Sequence, residues 1–292
     1  MELNTVLTGS FEKWLKTLGY AQSTVYLSVK CVRDFFFYLK SSQITTIEQV
    51  QAERINGYYR YLQTRDNKRQ GGGLSQNYIT GNINAIKRFS RYLQQTGKPF
   101  FEVTIQTKPD RETQKTILTR EEIKAFYKVC DNSIIGLRDR AILSIFYGCG
   151  LRRSEGANLD VADLLFKKKL LFVREGKGYR ERYVPMSGAV RTDLENYIYQ
   201  AREQIQRSAG TKNEALFLSM QVKRMCGSAL ISRIQRITSA AQINKTIGLH
   251  SLRHSIATHL LQSGMTLEEV SRFLGHSSLE STQIYTHLAN EC

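Results

Sequence analysis

The chain has 292 residues, 41% of them hydrophobic, and 42 Lys/Arg against 26 Asp/Glu give it a formal net charge of +16. Length and apolar fraction favour two domains, or one large one, with a real core, and exclude a disordered chain. No apolar run nears the roughly 20 residues that span a bilayer, and MELNTVLTGSFEKWLK has neither the basic nor the apolar region of a secretory signal. A membrane protein is therefore not expected, and a cytoplasmic one is. Five cysteines (Cys31, Cys130, Cys149, Cys226, Cys292) stand far apart with no CxxC, which fits free thiols in a reducing compartment rather than a disulfide framework or a zinc site. The basic excess is not a tail: residues 1–110 hold 15 Lys/Arg against 8 Asp/Glu, and residues 111–292 carry the rest. Two basic lobes predict a polyanionic partner, and suit two lobes gripping one duplex.

Apolar spacing predicts amphipathic helices over 5–18 and 22–40, the second with Ser23 as its N-cap and Val25, Val29, Val32, Phe36 and Leu39 on one face. A third covers 46–64, and a fourth, over 75–95, carries Lys87, Arg88 and Arg91 as candidate DNA contacts. Between them RDNKRQGGGLS (65–75) reads as a flexible exposed loop. The aromatic run Phe35–Tyr38 reads as core rather than as a base-stacking platform. VTIQTKPDRETQKT is polar and aperiodic, so residues 103–116 are expected to link a first domain, 1–102, to a second, 117–292.

In the second domain, Thr119 and Glu122 form a capping box that opens a helix over 119–130, followed by one over 136–148. Short apolar runs over 161–184, separated by KKK and EGKGYRE, predict a three-stranded antiparallel sheet. Helical patterns return at 187–207, 228–242, 249–263 and 267–274, with a short one near 279–285. The expected class is mainly α (α+β): a helical bundle, then a mixed domain with a small sheet.

All five histidines (His250, His254, His259, His276, His287) fall in GLHSLRHSIATHLLQSG (248–264) and FLGHSSLESTQIYTHLAN (273–290). Interleaved with Arg253 and Tyr285, they combine a hydroxyl nucleophile, a cation and imidazoles, which is equipment for attacking a phosphodiester. A metal site is disfavoured because Asp, Glu or Cys partners are not at ligand spacing, and His254–His259 are five apart, off a common helical face. No Gly-rich phosphate loop occurs. Neither metal, nucleotide nor other cofactor is expected.

Taken singly, Arg152 could be a surface arginine, Lys177 a solvated hairpin lysine, His276 a helix-terminal histidine and Tyr285 a packed ring. In order, however, YGCGLRRSEGANL, VREGKGYRERYVPM, LHSLRHSIATHLLQSG and VSRFLGHSSLESTQIYTH resemble the motifs of the tyrosine recombinase (phage-type integrase) family, above all its compact Xer-like and transposon-borne members. The resemblance spans essentially the whole chain. It implies a SAM-like helical core-binding domain followed by a catalytic domain, with Arg152, Lys177, His250, Arg253, His276 and Tyr285 catalytic and Glu155 supporting Arg152. Tyr285 would form a 3′-phosphotyrosine, and strands would exchange through a Holliday junction. The partners implied are double-stranded DNA with inverted half-sites and a homotetramer (or heterotetramer) on two DNA sites.

The chain starts at the core-binding domain, which suggests a simple site read without an arm-binding domain, and only seven residues follow Tyr285, too few for the usual docking helix. Integration, excision or inversion of a mobile element is the expected role. Xer-like dimer resolution, type IB topoisomerase-like activity and non-catalytic DNA binding are the alternatives.

Overall fold

A helix with one apolar face must bury it against a neighbour. The chain does so in two separate units, Met1–Thr113 and Gln114–Cys292, in a computed structural model that describes residues 2–67, 71–107, 116–174 and 181–275.

In the first unit, α1 (Glu2–Thr17), α2 (Gln22–Ser41), α3 (Ala52–Thr64) and α4 (Gln76–Gln95) enclose Phe11, Leu15, Val32, Phe35, Tyr58, Leu62, Ile83 and Phe89, all fully buried. Phe89 meets Phe11 and Phe36 edge-on, with ring centroids 5.3 and 5.5 Å apart. Helix α4 begins on Ser75, whose Oγ accepts the Tyr78 N–H at 3.3 Å. Helix α2 begins at Gln22, as expected, but its N-cap is Ala21 rather than Ser23, which lies in the first turn. The helix expected over 46–64 is interrupted. Ile47–Gln49 forms a 3-10 turn, Val50 adopts an extended φ/ψ of −81°/95° that buries its side chain, and α3 starts at Ala52. In the aromatic run, Phe35 and Phe36 are core while Phe37 is 70% exposed. Of the segment expected to be a linker, Ile105 is buried in this core with Val103 packed against it. Residues 108–115, and 68–70 of the glycine loop, lie outside the described residues.

In the second unit, α5 (Arg120–Lys128) opens with the expected capping box: Thr119 Oγ1 accepts from Glu122 N at 3.2 Å, and Glu122 Oε2 accepts from Thr119 N at 2.8 Å. Helix α6 (Ile134–Leu143) widens into a π turn, Ser144–Gly148, and is followed by the short α7 (Arg153–Ala157). Strands β1 (Leu164–Leu165), β2 (Leu170–Val173) and β3 (Arg182–Pro185) then form an antiparallel sheet in the order β1-β2-β3. Three strands are what the pattern predicted. Leu171 pairs with Val184 and Val173 with Arg182, so Arg182 shares the inward face of β3 with buried Val184. Helix α8 (Gly188–Asn196) passes through a second π turn, Tyr197–Arg202, into α9 (Glu203–Ala209). Then come α10 (Gly227–Ala240), α11 (Leu249–Gln262) and α12 (Leu267–Leu274). Phe126, Phe146, Leu171, Leu194, Tyr197, Leu230 and Leu252 anchor the common core. The short helix expected near 279–285 lies outside the described residues. No helix among the described residues is long and apolar enough to cross a membrane.

Candidate active site

The π turn ends at Cys149, and Gly150 (φ +61°) reverses the chain so that Arg152 becomes the N-cap of α7. A side chain at 150 would collide with Leu274, its Cβ 2.8 Å from Leu274 Cδ2, so glycine is required both by conformation and by space. Glu155, three residues into α7, turns back on the cap: its Oε2 accepts the Arg152 backbone N–H at 2.8 Å and its Oε1 accepts from Arg152 Nη1 at 2.8 Å. Arg182 then reaches in from β3 and grips the same carboxylate with both terminal nitrogens, Nη1 to Oε1 at 3.1 Å and Nη2 to Oε2 at 2.9 Å. The Glu155 side chain is 1% exposed. Burial pushes its carboxyl pKa up, but the hydrogen bonds and charge of Arg182, then those of Arg152, outweigh it and hold the group down at about 2.

The second arginine comes from α11. Arg253 is buried and donates from Nη1 to the carbonyl of Gly150 at 2.5 Å and from Nη2 to that of Leu274 at 2.8 Å. Arg152 Nη2 donates to the next carbonyl along, that of Gly275, at 3.0 Å. Gly275 closes α12 in the left-handed region (φ +65°). The two guanidinium groups thereby tie the segment 150–152 to the segment 274–275, whose next residue is His276.

His250 lies one turn before Arg253 on α11, at an exposed position. Partial burial, then the charges of Arg253, Arg153 and Arg152, lower its pKa from the ordinary value, which favours the neutral imidazole. His259, two turns further along α11, is a packing residue: it is buried, its Nδ1 shares a 2.9 Å hydrogen bond with the Tyr147 hydroxyl, and its carbonyl accepts from Arg120. Helix α11 is itself held by Ser255 Oγ, which accepts the Leu118 N–H at 2.8 Å.

The structure thus gathers Arg152, Glu155, His250 and Arg253 into one cationic cluster. Lys177, His276, Tyr285 and His287 lie outside the described residues. In the first unit, Lys87 Nζ donates to the Ile105 carbonyl at 2.8 Å, and Arg88 donates to Ser28 Oγ at 3.2 Å and lies over the Tyr20 ring. Both are therefore engaged by their own domain, while Arg91 is exposed. Among the described residues no group of His, Cys, Asp and Glu is placed to hold a metal.

Sequence reasoning missed Arg182. The available signal was the strand RYVP itself: alternation puts Arg182 on the face of buried Val184, and an inward arginine needs a buried anion. It also missed the ion ladder beside the site, where Arg174 pairs with Asp160 and Asp163 at 2.8 and 2.9 Å and Arg224 pairs with Asp160.

Comparison with known proteins agrees with this architecture. Residues 116–291 match the phage integrase family. The chain is 33% identical over 226 residues to the tyrosine recombinase XerC of Oceanobacillus iheyensis, covering 75% of this chain and 72% of that one. It is 30% identical to the tyrosine recombinase XerC 2 of Ralstonia nicotianae, covering 99% of this chain and 83% of that one. Among solved structures, the Tn1549 transposon integrase in complex with transposon right end DNA superposes with a TM-score of 0.70 at 17% identity, covering 96% of this chain and 94% of that one, a likeness of fold. With a matched region that spans the arginine cluster and relatives aligned along its length, the chain belongs to the phage integrase family of tyrosine recombinases.

Proposed function

We propose that this site-specific recombinase cleaves and rejoins duplex DNA with Tyr285 as nucleophile, Arg152 and Arg253 as the phosphate clamp, and Glu155 as the support of Arg152. The observation that carries the reading is the convergence of both arginines on the backbone that leads directly into His276, with His250 one turn before Arg253 on the same helix. As the tyrosyl oxygen bonds to phosphorus, negative charge grows on the non-bridging oxygens, and guanidinium forks held by carbonyls and a buried carboxylate meet it without reorganising. His250 accepts the tyrosine proton or orients the ring. His276 donates a further hydrogen bond. Lys177 protonates the departing 5′ oxygen as its bond to phosphorus breaks, leaving a 3′-phosphotyrosine. Attack by the 5′ hydroxyl of a partner strand reverses these steps, so neither metal nor nucleotide is needed. Four copies on two sites with inverted half-sites would exchange strands through a Holliday junction, the first unit (1–102, with 103–116 as the connection) serving as the core-binding domain and Arg91 as a backbone contact. Acting in the cytoplasm on a mobile element is the favoured role. Xer-like dimer resolution is the second reading, favoured by the Xer recombinases among the relatives.

The test is covalent capture. Nicked duplexes from a random-sequence pool are incubated with the protein and run on a denaturing gel. A protein–DNA band is expected that disappears in Tyr285→Phe while binding stays within about twofold. Loss of binding together with the band would make Tyr285 structural, and no band from any duplex would leave a DNA-binding protein without cleavage.

A further inference from the structure

We infer that Arg182 is a positioning residue for strand cleavage, acting on Arg152 through Glu155 and through Gly275. The inference rests on the reading of Arg152 as a phosphate clamp. Its basis is the hydrogen-bond count around one carboxylate: each Glu155 oxygen accepts one bond from Arg152 and one from Arg182. With Arg182 present the trio Arg152–Glu155–Arg182 carries a net charge of +1. Without it, a buried carboxylate and a single arginine would cancel, and the first guanidinium of the clamp would face DNA as half of a neutral pair.

The fork also fixes direction. Both terminal nitrogens of Arg182 donate to Glu155, which leaves Glu155 one orientation in which to hold Arg152. A second route runs through the backbone. The Arg182 side chain fills the space where a Cβ on Gly275 would sit, 2.7 Å from both its Cδ and its Nε. The Gly275 carbonyl is the other acceptor for Arg152. Arg182 therefore bonds to Glu155 and packs beside Gly275, the two residues that orient the Arg152 guanidinium, and it does so from β3, an element that carries none of the residues proposed for the chemistry.

The experiment measures single-turnover formation of the covalent complex, at saturating DNA, on a nicked duplex chosen by covalent capture with the unaltered chain. Arg182→Gln should bind that duplex within about twofold yet form the complex on the order of 10- to 100-fold more slowly. Arg182→Lys, which restores charge without the fork, should fall between. The double variant Arg182→Gln/Glu155→Gln, which returns the net charge to +1, should be faster than Arg182→Gln alone. A residue that merely stabilised the fold would not produce that recovery. Wild-type saturating rate in Arg182→Gln, or a rate loss explained by weaker binding and unrelieved in the double variant, overturns the inference. If Arg182→Gln does not fold, Arg182→Lys decides: a folded protein with unchanged binding and a slower saturating rate supports the inference, and a wild-type rate overturns it. Arg152→Gln separates the two readings. If it cleaves normally, the clamp assignment fails and this inference with it. If it is inactive while Arg182→Gln is normal, only the role of Arg182 fails.

Discussion

Phe89 in the first unit and Glu155 in the second are both buried, but by unlike means. Phe89 lies between the rings of Phe11 and Phe36, where contact is broad and has little directional demand. Glu155 is held by four directed hydrogen bonds from two arginines. The first arrangement tolerates small shifts of shape as long as volume is kept. The second fails if one partner is removed, because the others are left charged and buried. One region is built for cohesion, the other for holding a guanidinium in one place.

Three measurements would break or sharpen this contrast. Phe89→Ala should cost about 3–5 kcal/mol of the first unit's stability, from lost transfer energy and the cavity left behind. Calorimetry of the whole chain should show one unit melting earlier, and an unmoved transition would mean the ring is not core. For Glu155 the signature is pH. Its folded pKa, about 2, lies below the ordinary 4.5, so its contribution is complete above pH 4.5 and is lost as pH falls towards 2. At most this amounts to about 3 kcal/mol. Urea unfolding at a series of pH values should therefore show Glu155→Gln less stable near neutrality, with a flatter acid dependence between 4.5 and 2. Parallel curves for the two proteins would contradict the bonding described here. Smallest of all, Phe37→Ser removes a ring that is 70% exposed and should change stability by no more than about 0.5 kcal/mol. A larger loss by thermal melting would show that this ring is packed.

The same contrast decides what could be read beforehand. The helices and the three-stranded sheet were legible because apolar period is a local property, visible in any ten to twenty residues. The π turns at 144–148 and 197–202 were not, since one wider turn hardly disturbs that period. Nor was the interruption at Val50, where burial of one side chain overrides continuation of the helix. At the site, the types and order of Arg152, Glu155, His250 and Arg253 were readable. Their partners were not. Arg182 meets a carboxylate 27 positions earlier, and Arg253 meets carbonyls 103 and 21 positions away. For Lys87 and Arg88, pattern could not show that each also bonds within its own domain, to the Ile105 carbonyl and to Ser28.

Gly150, Leu274 and Gly275 hold the two arginines by their main-chain oxygens. An oxygen that every amino acid possesses cannot be deleted by a point mutation. Descendants of this chain are thus free to vary at Leu274 among residues that still pack, without losing the acceptor, while the left-handed turns at 150 and 275 resist replacement for reasons of backbone shape and crowding. Drift around the site should accordingly be uneven: permissive where only a carbonyl is contributed, and close to frozen at the two glycines and the one carboxylate.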